Sequence, residues 1–356
     1  MTVELVVGVD GGNTKTVAAV ATTEGEVLGT ALGKCSDIYG AASAADALGE
    51  LVGVVSRALA AAGVRPSDVA GTVGSLAGAD WPEDHELYRC ELSGRAGLSG
   101  VVKVVNDGLG PVRLAHRSGT GVALVLGTGS ALGARGPSGA IWHGSFWLPV
   151  GASAWLGREA LSAVNRAALG IGPPTSLTPA LLALVGTESE EALLHALTRR
   201  DLSSEHEGWE RAAGTCLLDA DAGGDPVARD VIATYAARLA PYVSIAARKV
   251  GLGPEAHVVL TGGLLRHRAS SLQTSLVEHV TALLPGAQVA RSDAAPVAGA
   301  LLEAMALVGT EVTDDLMGAV VGASHLLALG NSYEGASRVA PCTTAGPSPS
   351  QSPVLN

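Results

Sequence analysis

The chain reads as an α/β protein of two related halves, each a mixed sheet flanked by helices. Three observations predict this. Apolar, strand-length runs alternate with helix-length amphipathic stretches along most of the sequence. A β-β-β pattern, in which a buried strand enters a Gly-rich turn and comes back as a second strand, occurs near the start and again from Val122. The 356 residues include 47% hydrophobic residues and 47 glycines, which suits two domains with a large core and many tight turns rather than a disordered chain.

The first unit opens with the strand Leu5 to Val9. It turns through Asp10-Gly11-Gly12-Asn13-Thr14-Lys15-Thr16 and returns over Val17 to Ala21, and Thr23 to Leu28 lead into a third strand. A helix at about 44–62, a strand Gly71 to Leu76, a helix at about 83–94 and a strand Val101 to Val105 follow, completing a first lobe over 1–115. The second unit repeats the opening: strand Val122 to Leu126, turn Gly127-Thr128-Gly129-Ser130, strand Ala131 to Ala134, then Gly136 to Trp142. A long helical insertion spans about 152–222 and is broken at Gly170-Ile171-Gly172-Pro173-Pro174. Asp225 is the expected N-cap of the next helix, with Pro226 at its first position. The strand Val258 to Leu260, a helix, the strand Ala287 to Ala290 and the helix Pro296 to Leu307 close a second lobe over 116–308. Asp314 to Leu329 predicts one more apolar helix, so the helices of 296–330 are expected to pack back on the body or on a partner subunit. The Pro-, Ser- and Thr-rich 340–356 segment is expected to be a disordered tail.

Composition excludes several function classes. A net charge of -11 argues against non-specific nucleic-acid binding, which needs a basic surface. The nearest basic run, Arg266-His267-Arg268, reads as a solvated helix start rather than a phosphate clamp. Cys35, Cys90, Cys216 and Cys342 are far apart and form no C-x-x-C, which argues against zinc or an iron–sulfur cluster within one chain and points to a reducing cytoplasm. Met1-Thr2-Val3-Glu4 has no basic n-region, so no signal peptide is expected, and no apolar run is long enough to predict a membrane span.

The turns carry the chemistry. Glycines let backbone N–H groups approach phosphate oxygens, Thr14 and Thr16 add hydroxyls, Lys15 can reach a phosphate, and an acid at a strand end can hold Mg²⁺ through water. Asp10 is that acid. The bland alternative is an ordinary hairpin turn with a capping acid. The segment is neither a Walker A loop, since no Gly-Lys-Ser/Thr opens a helix, nor a Rossmann fingerprint, since a strand follows. Two facing Gly-rich turns can grip a triphosphate from both sides. Thr261-Gly262-Gly263-Leu264 follows a further strand, where bare backbone lets a flat ligand such as adenine approach. Asn106-Asp107-Gly108 puts a lone carboxylate at the end of a buried strand, either as a catalytic group or as a strand-ending turn.

In this order the turns resemble the sugar kinase, actin and Hsp70 ATPase superfamily. More narrowly the chain resembles the N-acetylglucosamine kinases and the BadF/BadG/BcrA/BcrD-type ATPases, over roughly residues 5–308. Trp155-Leu156-Gly157-Arg158-Glu159-Ala160-Leu161 is a further carrier of the resemblance. It implies a two-lobed actin-like (ribonuclease H-like) fold that uses ATP and Mg²⁺. It implies that Asp107 is the catalytic base, that Gly11, Gly12, Asn13, Thr14, Lys15, Thr16, Gly127, Thr128, Gly129 and Ser130 hold the phosphates, and that Gly262 and Gly263 lie at the adenosine. For the acceptor, Asp37 stands where the family has a sugar-binding Asn, and the Ser75–Pro82 segment, with Gly78 and Asp80, resembles the Gly-containing loop under the acceptor. The alternatives are that Asp37 caps its own loop and that Asp80 caps the helix starting near Pro82.

One departure matters. N-acetylglucosamine kinases carry Gly-Asp-Glu-Gly-Ser just before the helix that contains Trp155; here the Asp-Glu pair is replaced by Pro149-Val150, so a hydroxyl partner is missing. His143 and Trp147 are candidate substitutes, with a core role for each as the alternative. The resemblance therefore implies an ATP-dependent kinase of an amino sugar, hexose or cyclitol, with a small-molecule acceptor, no nucleic acid and no membrane partner; a homodimer is left open. Two other readings stand beside it. One is a nucleotide-binding sensor on a kinase scaffold, motivated by the lost Asp-Glu pair and opposed by the presence of both Asp10 and Asp107. The other is an ATPase activator of an electron-transfer partner, which needs a bridging iron–sulfur cluster that no cysteine here is placed to hold.

Overall fold

The computed structural model describes residues 3–148, 151–267 and 270–323, with 203 and 204 described for their backbone alone. Pro149-Val150, Arg268, the part of the last expected helix beyond 323 and the expected tail over 340–356 lie outside the described residues.

Two five-stranded sheets are built on one plan. In the first, β1 (Leu5–Gly11), β2 (Thr16–Thr22), β3 (Val27–Gly33), β4 (Val69–Leu76) and β5 (Val101–Asn106) lie in the order β3-β2-β1-β4-β5. In the second, β6 (Gly121–Leu126), β7 (Ser130–Arg135), β8 (Ile141–His143), β9 (His257–Thr261) and β10 (Gln288–Arg291) lie in the order β10-β9-β6-β7-β8. In both, the opening strand is central, with an antiparallel hairpin on one side and parallel strands on the other. The repeated hairpin therefore marks a repeated sheet. Central strands are apolar on both faces, as Val6, Val7, Val9, Val122, Ala123 and Leu124 require.

The helices follow their end signals. α1 (Ala44–Ala62) starts where Ser43 accepts from the Asp46 N–H and stops at Gly63, whose φ of 66° is a left-handed cap. α2 (Pro82–Gly94) follows β4. The helical insertion resolves into α3 (Ser153–Ala168), α4 (Leu177–Val185), α5 (Glu190–Thr198) and α6 (Ser203–Ala222). One additional break lies at Gly186, left-handed at φ 76°, followed by Ser189 capping α5, and another lies between Thr198 and Ser203. α7 (Pro226–Lys249) begins at Asp225 as expected. Burial opposes the charge of Asp225. Hydrogen bonds from Ser176, Ala228 and Thr175 outweigh that and hold its carboxyl at about 2. α8 (Leu272–Leu283), α9 (Pro296–Leu307) and α10 (Asp314–Gly322) complete the chain. No helix among the described residues is long and apolar enough to cross a membrane.

α9 joins the halves. It lies on the first sheet, and its Val297, Leu301 and Ala304 share one core with Val6, Val73, Ala123 and Val259 of both sheets. The approach is backbone to backbone. A Cβ on Gly8 would sit 2.6 Å from the Leu301 nitrogen, one on Gly299 would sit 2.4 Å from the Gly110 carbonyl oxygen, and one on Gly133 would sit 2.2 Å from the Gly108 oxygen. Beside this contact Glu303 of α9 accepts from the Arg113 Nε at 2.8 Å and the Arg135 Nη1 at 2.5 Å, all three side chains being largely buried. Burial opposes the Glu303 charge, but Arg135 and then Arg113 hold its pKa below the usual carboxylate value. Removing the centre of such a buried cluster leaves two unpaired guanidinium groups. Glu303→Ala is expected to lose about 3–5 kcal/mol of stability, read from urea unfolding. A loss below about 1 kcal/mol would show that the cluster does not hold the sheets together.

Candidate active site

Strand ends supply the candidate groups: β1 delivers Asp10, β4 leads through Ala77 to Asp80, β5 delivers Asp107 and β6 leads to Gly127, and the charges of Asp10 and Asp80 reach Asp107. Asp10 is registered between Val17 of β2 and Ser75 of β4. Burial pushes its carboxyl up to about 6, against the pull of the Lys15 ammonium. Burial, and then the charges of Asp10, Asp80 and Asp37, together push Asp107 up to about 8, while the Gly108 N–H works the other way. The Asp107 backbone is pinned from behind, because the Ser75 hydroxyl donates to its carbonyl at 3.2 Å and accepts from Gly110 N–H at 3.2 Å.

The acceptor side is a net of loops. Asp37 is 5% exposed. Its Oδ1 accepts from the Tyr39 N–H at 2.9 Å, and it takes a further hydrogen bond from the Asn13 side chain. The capping reading of Asp37 thus describes one of its oxygens, and Asn13 links it to the first turn. Tyr88, fully buried, bolts the two acceptor loops together. Its hydroxyl lies 2.8 Å from the Ser36 carbonyl and 3.1 Å from the Ala77 carbonyl, and it accepts from Ile38 N–H. Gly78 belongs to this bolt. At φ 79°, its absent Cβ would meet Asp37 Oδ1 at 2.5 Å.

Asp80 does not cap α2. Asp84 does, accepting from the Asp80 and Trp81 N–H groups at 3.2 and 2.9 Å. Asp80 Oδ1 instead takes Asn106 Nδ2 at 2.9 Å and the Ser145 hydroxyl at 2.5 Å. His143 Nδ1 bonds Ser145 in turn, and burial holds that imidazole below the usual histidine range although Asp80 opposes the shift. Sequence reasoning missed Ser145. Its backbone carries a hint, since it is the one non-glycine residue with positive φ among those described, at 30°. Trp147 is 71% exposed, which rules out the core role weighed for it.

The phosphate turns divide into framework and free surface. Thr16 is fully buried, and its hydroxyl donates to the Lys34 carbonyl at 2.7 Å and bonds the Ser36 hydroxyl at 2.7 Å, which ties the hairpin to the acceptor loop. Its expected part in phosphate binding is corrected to that tie. Gly11 is a packing glycine, its Cβ position 2.5 Å from Ser36 Oγ. Gly262, at φ 109°, presses on the Leu126 backbone at 2.3 Å, so it holds β9 against β6 rather than facing the cleft. The Gly12 N–H is spent on the Lys15 carbonyl at 2.9 Å, and the Gly127 N–H on the Gly129 carbonyl at 2.9 Å. Asn13 and Thr14 are exposed at the first tip, and Thr128 and Ser130 are half-buried at the second. Gly129 has nothing within 4 Å of its Cβ position, Gly127 only the Gly129 oxygen at 4.0 Å, and Gly263 only Arg266 Nη2 at 3.7 Å. None of these three has a left-handed backbone. Neither packing nor conformation demands glycine there, so the backbone at these three positions is open.

Burial holds Lys15 below the usual lysine range, Asp10 opposes this, and Arg266 adds to it. Arg266 is thus a half-buried cation reaching toward the first turn, not the solvated helix start expected. The Trp155–Leu161 stretch packs instead, with Trp155 stacked on Tyr235 at 5.1 Å and Gly157 admitting the α6 backbone.

This arrangement agrees with what the chain is similar to. The curated N-acetyl-D-glucosamine kinase of Dictyostelium discoideum is 26% identical over 324 residues, covering 86% of this chain and 99% of that protein. A solved structure of a candidate N-acetylglucosamine kinase from Chromobacterium violaceum superposes with a TM-score of 0.60 at 24% identity, covering 84% of this chain and 98% of the other. A ROK family glucokinase from Streptomyces griseus, solved with glucose and AMPPNP, superposes at 0.51 with 20% identity, covering 92% and 100%. The fold is the two-lobed fold of these actin-like kinases. The sequence profile of the BadF/BadG/BcrA/BcrD ATPase family matches residues 7–304, and the chain belongs to that family.

Proposed function

We propose that this chain is an ATP-dependent phosphotransferase acting in the cytoplasm on a hydroxyl of an amino sugar, hexose or sugar-like small molecule. The observation that carries the reading is the position of Asp107. It is a buried carboxylate at a strand end, within electrostatic reach of Asp10 beside the phosphate turn and of Asp37 and Asp80 in the acceptor loops. The kinship with a sugar kinase supports the same class of acceptor.

Asn13, Thr14, Lys15, Thr128, Gly129 and Ser130 would receive the triphosphate, and Gly263 would lie at the adenosine. A Mg²⁺ held near Asp10 through water would neutralise phosphate charge. In its ionised form, which gains population as pH rises toward about 8, Asp107 accepts the acceptor's hydroxyl proton as that oxygen bonds to the γ-phosphorus and the bond from phosphorus to the bridging oxygen breaks, releasing ADP. Asp37 and Asp80 orient the sugar through hydroxyl hydrogen bonds. Lobe closure excludes water, which would otherwise compete as the nucleophile.

Two outcomes test this reading. Asp107→Asn should lower kcat for ADP release by roughly 10²–10⁴-fold while ATP still binds. The same change should stabilise the fold. The folded carboxyl keeps its proton to about 8 whereas the unfolded one releases it near 3.9. The wild type therefore loses stability as pH rises through that window, and the Asn variant lacks this slope and should melt higher at pH 8. A flat difference in Tm between pH 5 and 8 would mean that Asp107 is not the strained carboxylate described. Gly129→Ala should leave stability within about 0.5 kcal/mol, since its side chain enters open space. It should weaken ATP binding by about tenfold or more in calorimetry. Unchanged affinity would remove the second turn from the nucleotide site.

A further inference from the structure

The acceptor cleft continues outward past Asp80 into an opening of about 410 Å³, walled by Trp81, Ile141, Trp142, Phe146 and Trp147 with Asp80, His143 and Ser145 at its floor. In a chain with 3% aromatic residues, this one place holds the single phenylalanine and three of the five tryptophans. Tyr39 adds a third aromatic residue type at the rim, edge-on to Phe146 at 5.7 Å, and Trp81 stacks on Phe146 at 6.4 Å. These rings are left in solvent: Phe146 is 66% exposed, Trp147 71%, Tyr39 54% and Trp81 47%. An apolar surface held open in this way, with rings fixed against one another, marks a binding site rather than a core.

The floor tells what sort of group enters. Its polar atoms are already turned to one another, Ser145 and Asn106 to Asp80 and His143 to Ser145. The walls above these groups are rings, so the part of the occupant that lies there is recognised by its apolar face. Asp80 and Ser145 border both this opening and the acceptor loops, so occupant and acceptor are continuous. Both lobes contribute, Tyr39 and Trp81 from the first and Phe146 and Trp147 from the second. We infer that the acceptor is a two-ring compound: the ring to be phosphorylated carries a second ring, either another pyranose or an aryl group, whose apolar face stacks on Trp81, Phe146 and Trp147. This rests on the kinase reading for the first ring but not for the second.

The test separates the two readings by using binding as well as turnover. Tryptophan fluorescence of the full chain with ATP is titrated with glucosamine, N-acetylglucosamine, a β-1,4-linked N-acetylglucosamine disaccharide and p-nitrophenyl N-acetylglucosaminide, and ADP release is measured on the same panel. Two-ring compounds should quench at concentrations about tenfold lower than the monosaccharides. Phe146→Ala and Trp81→Ala should erase most of that advantage while moving the monosaccharide KM much less. Better disaccharide than aryl binding names a pyranose as the second ring; the reverse names an aryl group. Quenching without ADP release keeps the aromatic site and sinks the kinase reading. Equal binding of one- and two-ring compounds overturns the inference. So does a drop in molecular mass by light scattering in Phe146→Ala with no change in quenching, since the patch would then be an interface between copies.

Discussion

The close contact of backbones around α9 is the constraint on which the site depends. Gly8 lies against Leu301, Gly110 against Gly299 and Gly108 against Gly133, and each contact leaves no room for a Cβ. These contacts draw the central strand of the first sheet, the segment after β5 and the second strand of the other sheet to one point. The ends of β1, β5 and β6 then open into the same cleft. The buried Glu303 with Arg113 and Arg135 sits on this junction and adds a directional tie where van der Waals contact alone is non-directional. A cluster of this kind is a poor source of net stability compared with apolar packing of the same shape, but it fixes orientation, which is what two sheets sharing a site require.

The second constraint is electrostatic. Asp10, Asp37, Asp80 and Asp107 are crowded on the acceptor side, and burial raises the pKa of three of them: Asp10, Asp37 and Asp107. Without compensation such a group costs stability, and part of the compensation is visible. Asn13 and the Tyr39 N–H serve Asp37, Asn106 and Ser145 serve Asp80, and Lys15 serves Asp10. Asp107 is the least relieved, with the Gly108 N–H as its one counterweight. Strain concentrated on the group assigned to proton transfer is a common bargain between stability and function. Asp37 and Asp80, the neighbours on the acceptor loops, are held by hydrogen bonds rather than by cations. A cation beside Asp107 would relieve it and lower its basicity.

Much of this was legible in the sequence because it was periodic or punctuated. Ser43, Gly63, Asp225 and Pro226 end helices for local reasons, and the strands of both sheets stand out as apolar runs. The site was legible to the extent that strand ends carry function, which found Asp10, Asp107 and the two turns. What was not legible depends on partners far apart in the chain. Asp80 is 26 residues from Asn106 and 65 from Ser145, so a helix-capping reading could be weighed against an active-site one but not decided. Arg266 looked like surface for the same reason. Its neighbour across the cleft is Lys15.

The glycines show the limit most clearly. Gly11, Gly12, Gly127, Gly129, Gly262 and Gly263 look alike in sequence, each following a buried strand. In space they separate by what a methyl group would meet. Gly11 and Gly262 would meet protein at 2.5 and 2.3 Å, so they are required by the fold. Gly129 and Gly263 would meet almost nothing, so the fold does not require them. Glycine at such a position costs conformational entropy and returns no packing, and it leaves the backbone bare to whatever enters the cleft. The distinction holds at single positions rather than for a motif as a whole.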